Sequence, residues 1–252
     1  MDLVEYRRRP EEQERIGNLL ALLPDKTQSV LDAGARDGYI SLQLAEDDTM
    51  TVTALDLEKP NIIHQNVLTV QGDITQLDFP DRSFDTVLCA EVLEHLSDRQ
   101  LKTACRELQR VAKRHVLIGV PYKQDIRIAR TTCYTCGGKN PPWAHISTFN
   151  RRRLTRLFDQ MTIEELSFVG RHRDCTNALS VLLLDLAGNP YGTYDQDEPC
   201  IHCGVKLKVP PSRSLPQKAL TRIATCLNQA QRLVKRPQPN WIHVLFARSS
   251  DR

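Results

Sequence analysis

The apolar positions change period several times along the chain. From Pro10 the spacing is helical. Ile16, Leu19, Leu20 and Leu23 share one stripe, Glu11, Glu12 and Glu14 favour the positive end of the helix dipole, and Pro24 closes the element. The pattern then shortens to apolar runs too brief for helices: Val30 and Leu31 leading to Asp32, Thr51 to Leu55 leading to Asp56, Val67 to Val70 leading to Gly72 and Asp73, Phe84 to Cys89, and His115 to Val120 closed by Pro121. Helical spacing returns at Tyr39 (Ile40, Leu42, Leu44, Ala45). It returns again after Ser97, an N-cap residue type, with Leu101, Ala104, Cys105, Leu108, Val111 and Ala112 on one face. Continuous apolar strands alternating with helices suit a parallel sheet buried on both faces. Residues 1–121 therefore read as most of a doubly wound α/β fold. The link from Asp56 to Val67 is short for a crossover, so any helix in it must be brief or irregular.

Beyond Pro121 the rhythm breaks. Residues 122–145 are polar and loop-rich; a helix is predicted over Asn150 to Phe158 and a strand over Thr162 to Val169. Asn177 as cap and Gly188 as exit residue make Ala178 to Ala187 a helix, with a strand as the competing reading because Val181 to Leu184 has no clear period. Residues 189–212 are loop-like. Residues 215–235 form a helix with Leu220, Ile223, Ala224, Leu227, Ala230 and Val234 on one stripe, and Trp241 to Ala247 is a last strand. The organisation expected is a core over 1–121, a cover over 122–149 and 189–213, and the remainder of the core over 150–188 and 214–252.

The 252 residues are 40% hydrophobic and 26% charged, ordinary for a soluble globular protein. The longest apolar run, Ala178 to Ala187, is interrupted by Ser180 and Asp185 and is too short to span a bilayer. Arg7, Arg8 and Arg9 are not followed by the apolar stretch of an export signal, so a cytoplasmic protein with no membrane partner is expected. The net charge of +3 neither demands nor excludes a polyanionic partner, and the oligomeric state is left open.

The turn after the first strand runs Asp32-Ala-Gly34-Ala-Arg-Asp-Gly38 into a helix. Glycines there admit left-handed backbone and close approach of a ligand, and the following helix start presents free N–H groups. The middle position of a three-glycine fingerprint is Arg36. About twenty residues on, the second strand ends in Asp56, where a ribose diol would lie. Val30 to Gly38, Asp56, the stretch from Gly72 to Asp85 and the stretch from Val87 to Leu96 together resemble the class I S-adenosylmethionine-dependent methyltransferases, type 11-like. The resemblance covers residues 15–120. It implies a mostly parallel seven-stranded Rossmann-like sheet; the small zinc-bound insertion expected beside it rests on the cysteine spacing given below. It also implies a donor site in which Asp32, Gly34, Ala35 and Gly38 surround the methionine part. Asp56 with Leu57 would hold the ribose, Asp73 and Ile74 would frame the adenine, and Ala90 and Glu91 would line the site beyond the fourth strand. A nicotinamide-dependent dehydrogenase is the competing cofactor reading, disfavoured by the Asp73 and Glu91 segments.

Eight cysteines in a chain without an export signal suggest metal or buried thiols rather than disulfides. Two CxxCG units, Cys133/Cys136 and Cys200/Cys203, can share one tetrahedral structural Zn²⁺. The alternatives are two unrelated turns or one redox pair. Cys89, Cys105, Cys175 and Cys226 are isolated, and for those in predicted elements a buried thiol is expected.

Glu91, Glu94 and His95 follow the fourth strand; on a helical turn they would share a face. Together with His145 they resemble the metal-dependent O-methyltransferases of small-RNA ends and those of the ubiquinone pathway. That resemblance implies that Glu91, Glu94, His95 and His145 hold Mg²⁺ or another divalent ion against an acceptor hydroxyl. The competing reading is a Glu/His turn without metal. Asn140-Pro-Pro-Trp143 looks like the motif of amino-group methyltransferases, but it does not follow the fourth strand and reads as a proline turn. The basic clusters at Arg151–Arg153 with Arg156, Arg171/Arg173 and Lys206/Lys208/Arg213 have few aromatics among them for base stacking. The expected acceptor is accordingly a sugar-like or small-metabolite hydroxyl. An RNA methyltransferase reading RNA through the zinc ribbon and a non-catalytic cofactor-binding scaffold are the alternatives.

Overall fold

The computed structural model describes residues 3–248; the outermost residues of the 1–121 and 214–252 spans lie outside the described residues. Helices are α1 Leu3–Arg7, α2 Pro10–Ala21, α3 Tyr39–Leu44, α4 Asp98–Val111, α5 Arg151–Leu157, α6 Ala178–Leu186 and α7 Leu215–Val234. Strands are β1 Ser29–Ala33, β2 Thr51–Asp56, β3 Val67–Gln71, β4 Phe84–Ala90, β5 Ala112–Pro121, β6 Thr131–Thr132, β7 Lys139–Asn140, β8 Met161–Val169 and β9 Trp241–Arg248. Single 3₁₀ turns lie at Leu93–His95 and Pro142–Ala144. The chain divides into a sheet unit (7–122, 149–170 and 240–252) and a cysteine unit (1–6, 123–148 and 171–239). Residues 171–188 and 214–239, expected with the core, thus group with the cysteines.

In the sheet unit the strand order is β3-β2-β1-β4-β5-β9-β8. β9 runs antiparallel to both β5 and β8, and the other neighbouring pairs are parallel. This is the α/β, mostly parallel seven-stranded sheet expected. Neighbouring residues of the central strands feed two different cores. Leu31, Val87 and Val116 pack on one face, Val30, Leu88 and Leu117 on the other, and all six are fully buried. That explains why these strands read as continuous apolar runs rather than alternating ones. The β2–β3 link contains no helix. It is an extended loop whose Ile62 lies against the α-carbon of Gly38, where a Cβ would stand 2.0 Å from the Ile62 side chain.

In the cysteine unit, β6 and β7 form a two-residue hairpin and α6 packs on α7. The apolar run is a helix because its ends are closed chemically. The Asn177 side chain accepts from the Ser180 N–H at 2.8 Å, and Gly188 takes the left-handed exit conformation at φ 81°. The stripe expected along α7 is only partly inward. Thr221 and Ala224 are buried, whereas Ile223, Ala230 and Val234 face solvent. Of the isolated cysteines, Cys89 and Cys105 are fully buried, but Cys175 is half-buried and Cys226 exposed. Among the described residues no helix is long and apolar enough to cross a membrane.

Candidate active site and metal centre

The carboxyl ends of β1 to β4 meet where the strand order reverses, between β1 and β4, the place at which sheets of this kind bind ligands. Asp32, at the end of β1, is almost wholly buried and accepts a hydrogen bond from the Ser41 hydroxyl at 2.6 Å. Burial pushes its carboxyl up to about 6, against the lowering effect of Ser41 and with a further push from the charge of Asp56. The turn that follows passes through left-handed backbone three times, at Gly34 (φ 94°), Arg36 (φ 53°) and Gly38 (φ 81°). Arg36 therefore adopts the conformation that a middle glycine would supply. Its N–H donates to Asp56 Oδ2 at 2.7 Å, which ties the turn to the end of β2. Asp56 Oδ1 accepts from the Leu57 N–H, also at 2.7 Å, while the Leu57 side chain is exposed. The N–H groups of Gly34 and Ala35 donate to the Leu55 carbonyl at 2.8 and 3.0 Å. A Cβ on Gly34 would lie 2.2 Å from a methyl of Val92, so only glycine fits beneath the segment leaving β4. Asp73, just past β3, accepts from both the N–H and the hydroxyl of Thr75 through Oδ1, and Ile74 is buried beside it. Ala90 is half-buried at the end of β4, paired in register with Gly119 of β5.

Glu91 departs from the helical expectation. It has φ 56°, and its N–H donates to the Gly119 carbonyl, so it precedes the Leu93–His95 turn instead of sharing a helical face with Glu94 and His95. Its Oε2 accepts from the Trp241 indole N–H at 3.3 Å, while Oε1 is buried without a hydrogen-bond partner. Glu94 is fully buried, and both of its carboxylate oxygens lack partners. Burial, reinforced by the charge of Glu91, raises the Glu94 carboxyl well above its ordinary range. Glu91 is raised by burial as well, with Arg15 opposing. Arg15 pairs with Glu12 at 2.9 Å and lies 5.8 Å from the centre of the Trp241 ring. Sequence reasoning missed Arg15 and Trp241. The signal was a Glu/Arg pair at i, i+3 inside the apolar stripe of α2, where a charge must be paired to be buried. His145 belongs to the cysteine unit, where its Nδ1 is 2.8 Å from Gln124 Oε1.

The cysteine unit brings Cys133, Cys136, Cys200 and Cys203 together. Their sulfur atoms all lie within 4.8 Å of one another, with Cys133–Cys203 and Cys136–Cys200 each at 3.7 Å. A tetrahedron with ~2.3 Å metal–sulfur bonds has edges of about 3.8 Å, so the four thiols fit Zn²⁺. The N–H groups of Gly138 and His202 point at Cys136 and Cys200 sulfur, at 3.4 and 3.5 Å. The N–H groups of Cys136 and Thr135 draw the Cys133 thiol down to about 6. Asn140 braces the two knuckles. Fully buried, it accepts from the Ile201 N–H at 2.9 Å and donates to the Gly138 carbonyl at 3.3 Å. The Asn-Pro-Pro-Trp stretch is thus a structural turn of the cysteine unit.

Residues 31–118 match a family model described as a methyltransferase domain. No curated protein matches the sequence. Among solved structures, the chain is similar to the 1,6-didemethyltoxoflavin-N1-methyltransferase of Burkholderia thailandensis, with TM-score 0.56 and 14% identity over 98% of this chain and 81% of that one. It is similar to the N-methyltransferase NodS of Bradyrhizobium japonicum WM9, with TM-score 0.54 and 15% identity over 97% and 99%. It is also similar to a chain from the complex of the Haloferax volcanii Trm112 methyltransferase activator with a candidate methyltransferase, with TM-score 0.54 and 13% identity over 98% and 94%. At these identities the likeness is one of fold.

Proposed function

We propose that this chain, whose residues 31–118 match a methyltransferase domain, is an S-adenosylmethionine-dependent methyltransferase that holds the donor along the carboxyl ends of β1 to β4 and methylates a hydroxyl of a sugar-like or small-metabolite acceptor. The observation that carries the donor site is the Asp56 carboxylate. It is fixed by the N–H groups of Arg36 and Leu57 at 2.7 Å each, at the mouth of a turn that Val92 and Ile62 restrict to glycine at positions 34 and 38. In this reading Asp56 accepts from the ribose hydroxyls, with Leu57 covering them. Asp32, Gly34, Ala35 and Gly38 bound the methionine part, Asp73 and Ile74 frame the adenine, and Ala90 and Glu91 line the side nearer the acceptor. The donor supplies a methyl group on a sulfonium sulfur; the acceptor oxygen displaces that sulfur in line and its proton leaves to solvent or to a nearby base. Such a transfer depends chiefly on positioning.

An oxygen acceptor is favoured by the chemistry after β4. Three unpartnered carboxylate oxygens of Glu91 and Glu94 can accept from hydroxyls, or, with His95, help hold a divalent ion such as Mg²⁺ that fixes them. His145 joins this set by the sequence resemblance. Cys133, Cys136, Cys200 and Cys203 are assigned a structural Zn²⁺. Calorimetry with S-adenosylhomocysteine tests the donor site: Asp56→Ala should weaken binding about ten- to hundredfold, as for loss of hydrogen bonds to a charged group. Unchanged binding overturns it. Metal content of chelator-free protein tests the zinc. Activity of Glu94→Gln across divalent ions tests the acceptor side.

A further inference from the structure

The cysteine unit carries a surface made of none of the residues assigned above to the donor, the acceptor or the zinc. Between Glu198 and Asp251 the sequence has no acidic residue, while residues 205–236 hold eight lysines and arginines. Lys206, Lys208, Lys218 and Arg222 are exposed. Large aliphatic side chains are exposed among them: Val209, Leu215, Ile223, Leu233 and Val234. On α7 these follow a helical stripe. Leu215, Ala219, Ile223, Cys226, Ala230 and Leu233 are all exposed at i, i+4 and i+3 spacings, on the side away from the buried Thr221 and Ala224. Lys218 and Arg222 flank that stripe. The helix has 20 residues, about 30 Å of continuous apolar edge with a basic border.

We propose that α7 and the segment leading into it dock the protein peripherally on an anionic lipid surface. A leucine- and isoleucine-bearing stripe beside cations is what lies at the headgroup–acyl boundary, with the cations on lipid phosphates. Charge separates this occupant from the others. A second copy would set one basic border against another; residues 205–236 hold no carboxylate, and Asp174, which reaches α7 from outside them, is already paired with Arg232. Nucleic acid would satisfy the cations, but α7 carries no aromatic side chain to stack on bases, and the Tyr191 ring beside this segment already faces the Arg213 guanidinium at 5.2 Å.

The test is flotation of the purified full chain with vesicles of phosphatidylcholine alone and of phosphatidylcholine with phosphatidylglycerol. Flotation with the anionic vesicles only, weakening as salt rises, is expected. Lys218→Gln and Arg222→Gln should each lower the partition about fivefold. Leu215→Ser with Ile223→Ser should lower it as well, with thermal stability and S-adenosylhomocysteine binding unchanged. No flotation with either vesicle overturns the proposal, and so does flotation that the serine substitutions leave unaltered, which would mean charge alone. A dimer in sedimentation that Ile223→Ser dissociates, without vesicle binding, gives the face to a second copy instead. Salt-sensitive RNA retention without vesicle binding assigns it to nucleic acid.

Discussion

Replacing Asp32 by asparagine should stabilise the protein, and more so the higher the pH up to about 7. The native carboxyl titrates at about 6, against 3.8 for the free side chain, because burial disfavours its charge more than the Ser41 hydrogen bond favours it. At ~1.4 kcal/mol per pKa unit, the ionised group costs the native state about 3 kcal/mol at pH 8. The sign follows from linkage. With the folded pKa raised, the native state binds more protons than the unfolded one between about 4 and 6, so this group's cost grows as pH rises through that window. An amide keeps an oxygen for the Ser41 hydroxyl and never ionises. Chemical denaturation of both proteins at pH 8 and pH 5 reads the difference directly. Asp32→Asn should be more stable by about 3 kcal/mol at pH 8, falling to about half of that at pH 5. Because each comparison is made at one pH, the other titrating groups cancel. An advantage that does not change with pH, or a variant less stable at pH 8, would refute the reasoning. On the donor site proposed above, the same substitution should weaken binding of S-adenosylhomocysteine, a trade of stability for function.

Other consequences are open to measurement. Gly34→Ala should lower stability by at least ~1 kcal/mol, since φ 94° strains any other residue and the new methyl would meet Val92; Val92→Ala should restore part of it but not all. His243, fully buried, is held down to about 3 chiefly by burial, so the stability it contributes at neutral pH is lost as pH falls below 6.5. His243→Asn should flatten the stability–pH slope between 6.5 and 5 by about 1 kcal/mol per pH unit. Asn140→Ala should cost about 2 kcal/mol and speed zinc loss to a chromogenic chelator, because Ile201 and Gly138 lose their common partner. In the native protein a thiol reagent should modify Cys226 quickly and leave Cys89 and Cys105 unreacted until unfolding.

The parallel part of the sheet was legible because burial on both faces leaves an unmistakable run of apolar residues, as at Val30–Leu31 and Val116–Leu117. The helix at 178–186 was legible from its caps rather than its period. Asn177 and Gly188 settle what Val181 to Leu184 could not. The stripe on α7 misled because the helix has two apolar sides, and periodicity alone does not say which is covered. The glycine turn and the acid at the end of β2 were legible, and the left-handed conformation of Arg36 that ties them together was not, since it leaves no trace in composition. Arg15 and Trp241, which stand by Glu91, come from opposite ends of the described residues, a proximity created by the sheet and by nothing local.

β9 bears on how the protein reaches this state. It comes from residues 241–248, yet it fills an interior place between β5 and β8. Until it arrives, β5 presents an unpaired apolar edge and β8 has no strand beside it, so each is a template on which a neighbouring molecule's strand can add. The contacts that close the sheet join residues about 120 to 130 apart, from Pro121 with Trp241 to His115 with Ala247, and long-range pairings of this kind form slowly. Folding yield should therefore fall with protein concentration more steeply than the native stability suggests. A chaperone that shields those two edges would act on the last strand insertion rather than on the earlier assembly of β1 to β5.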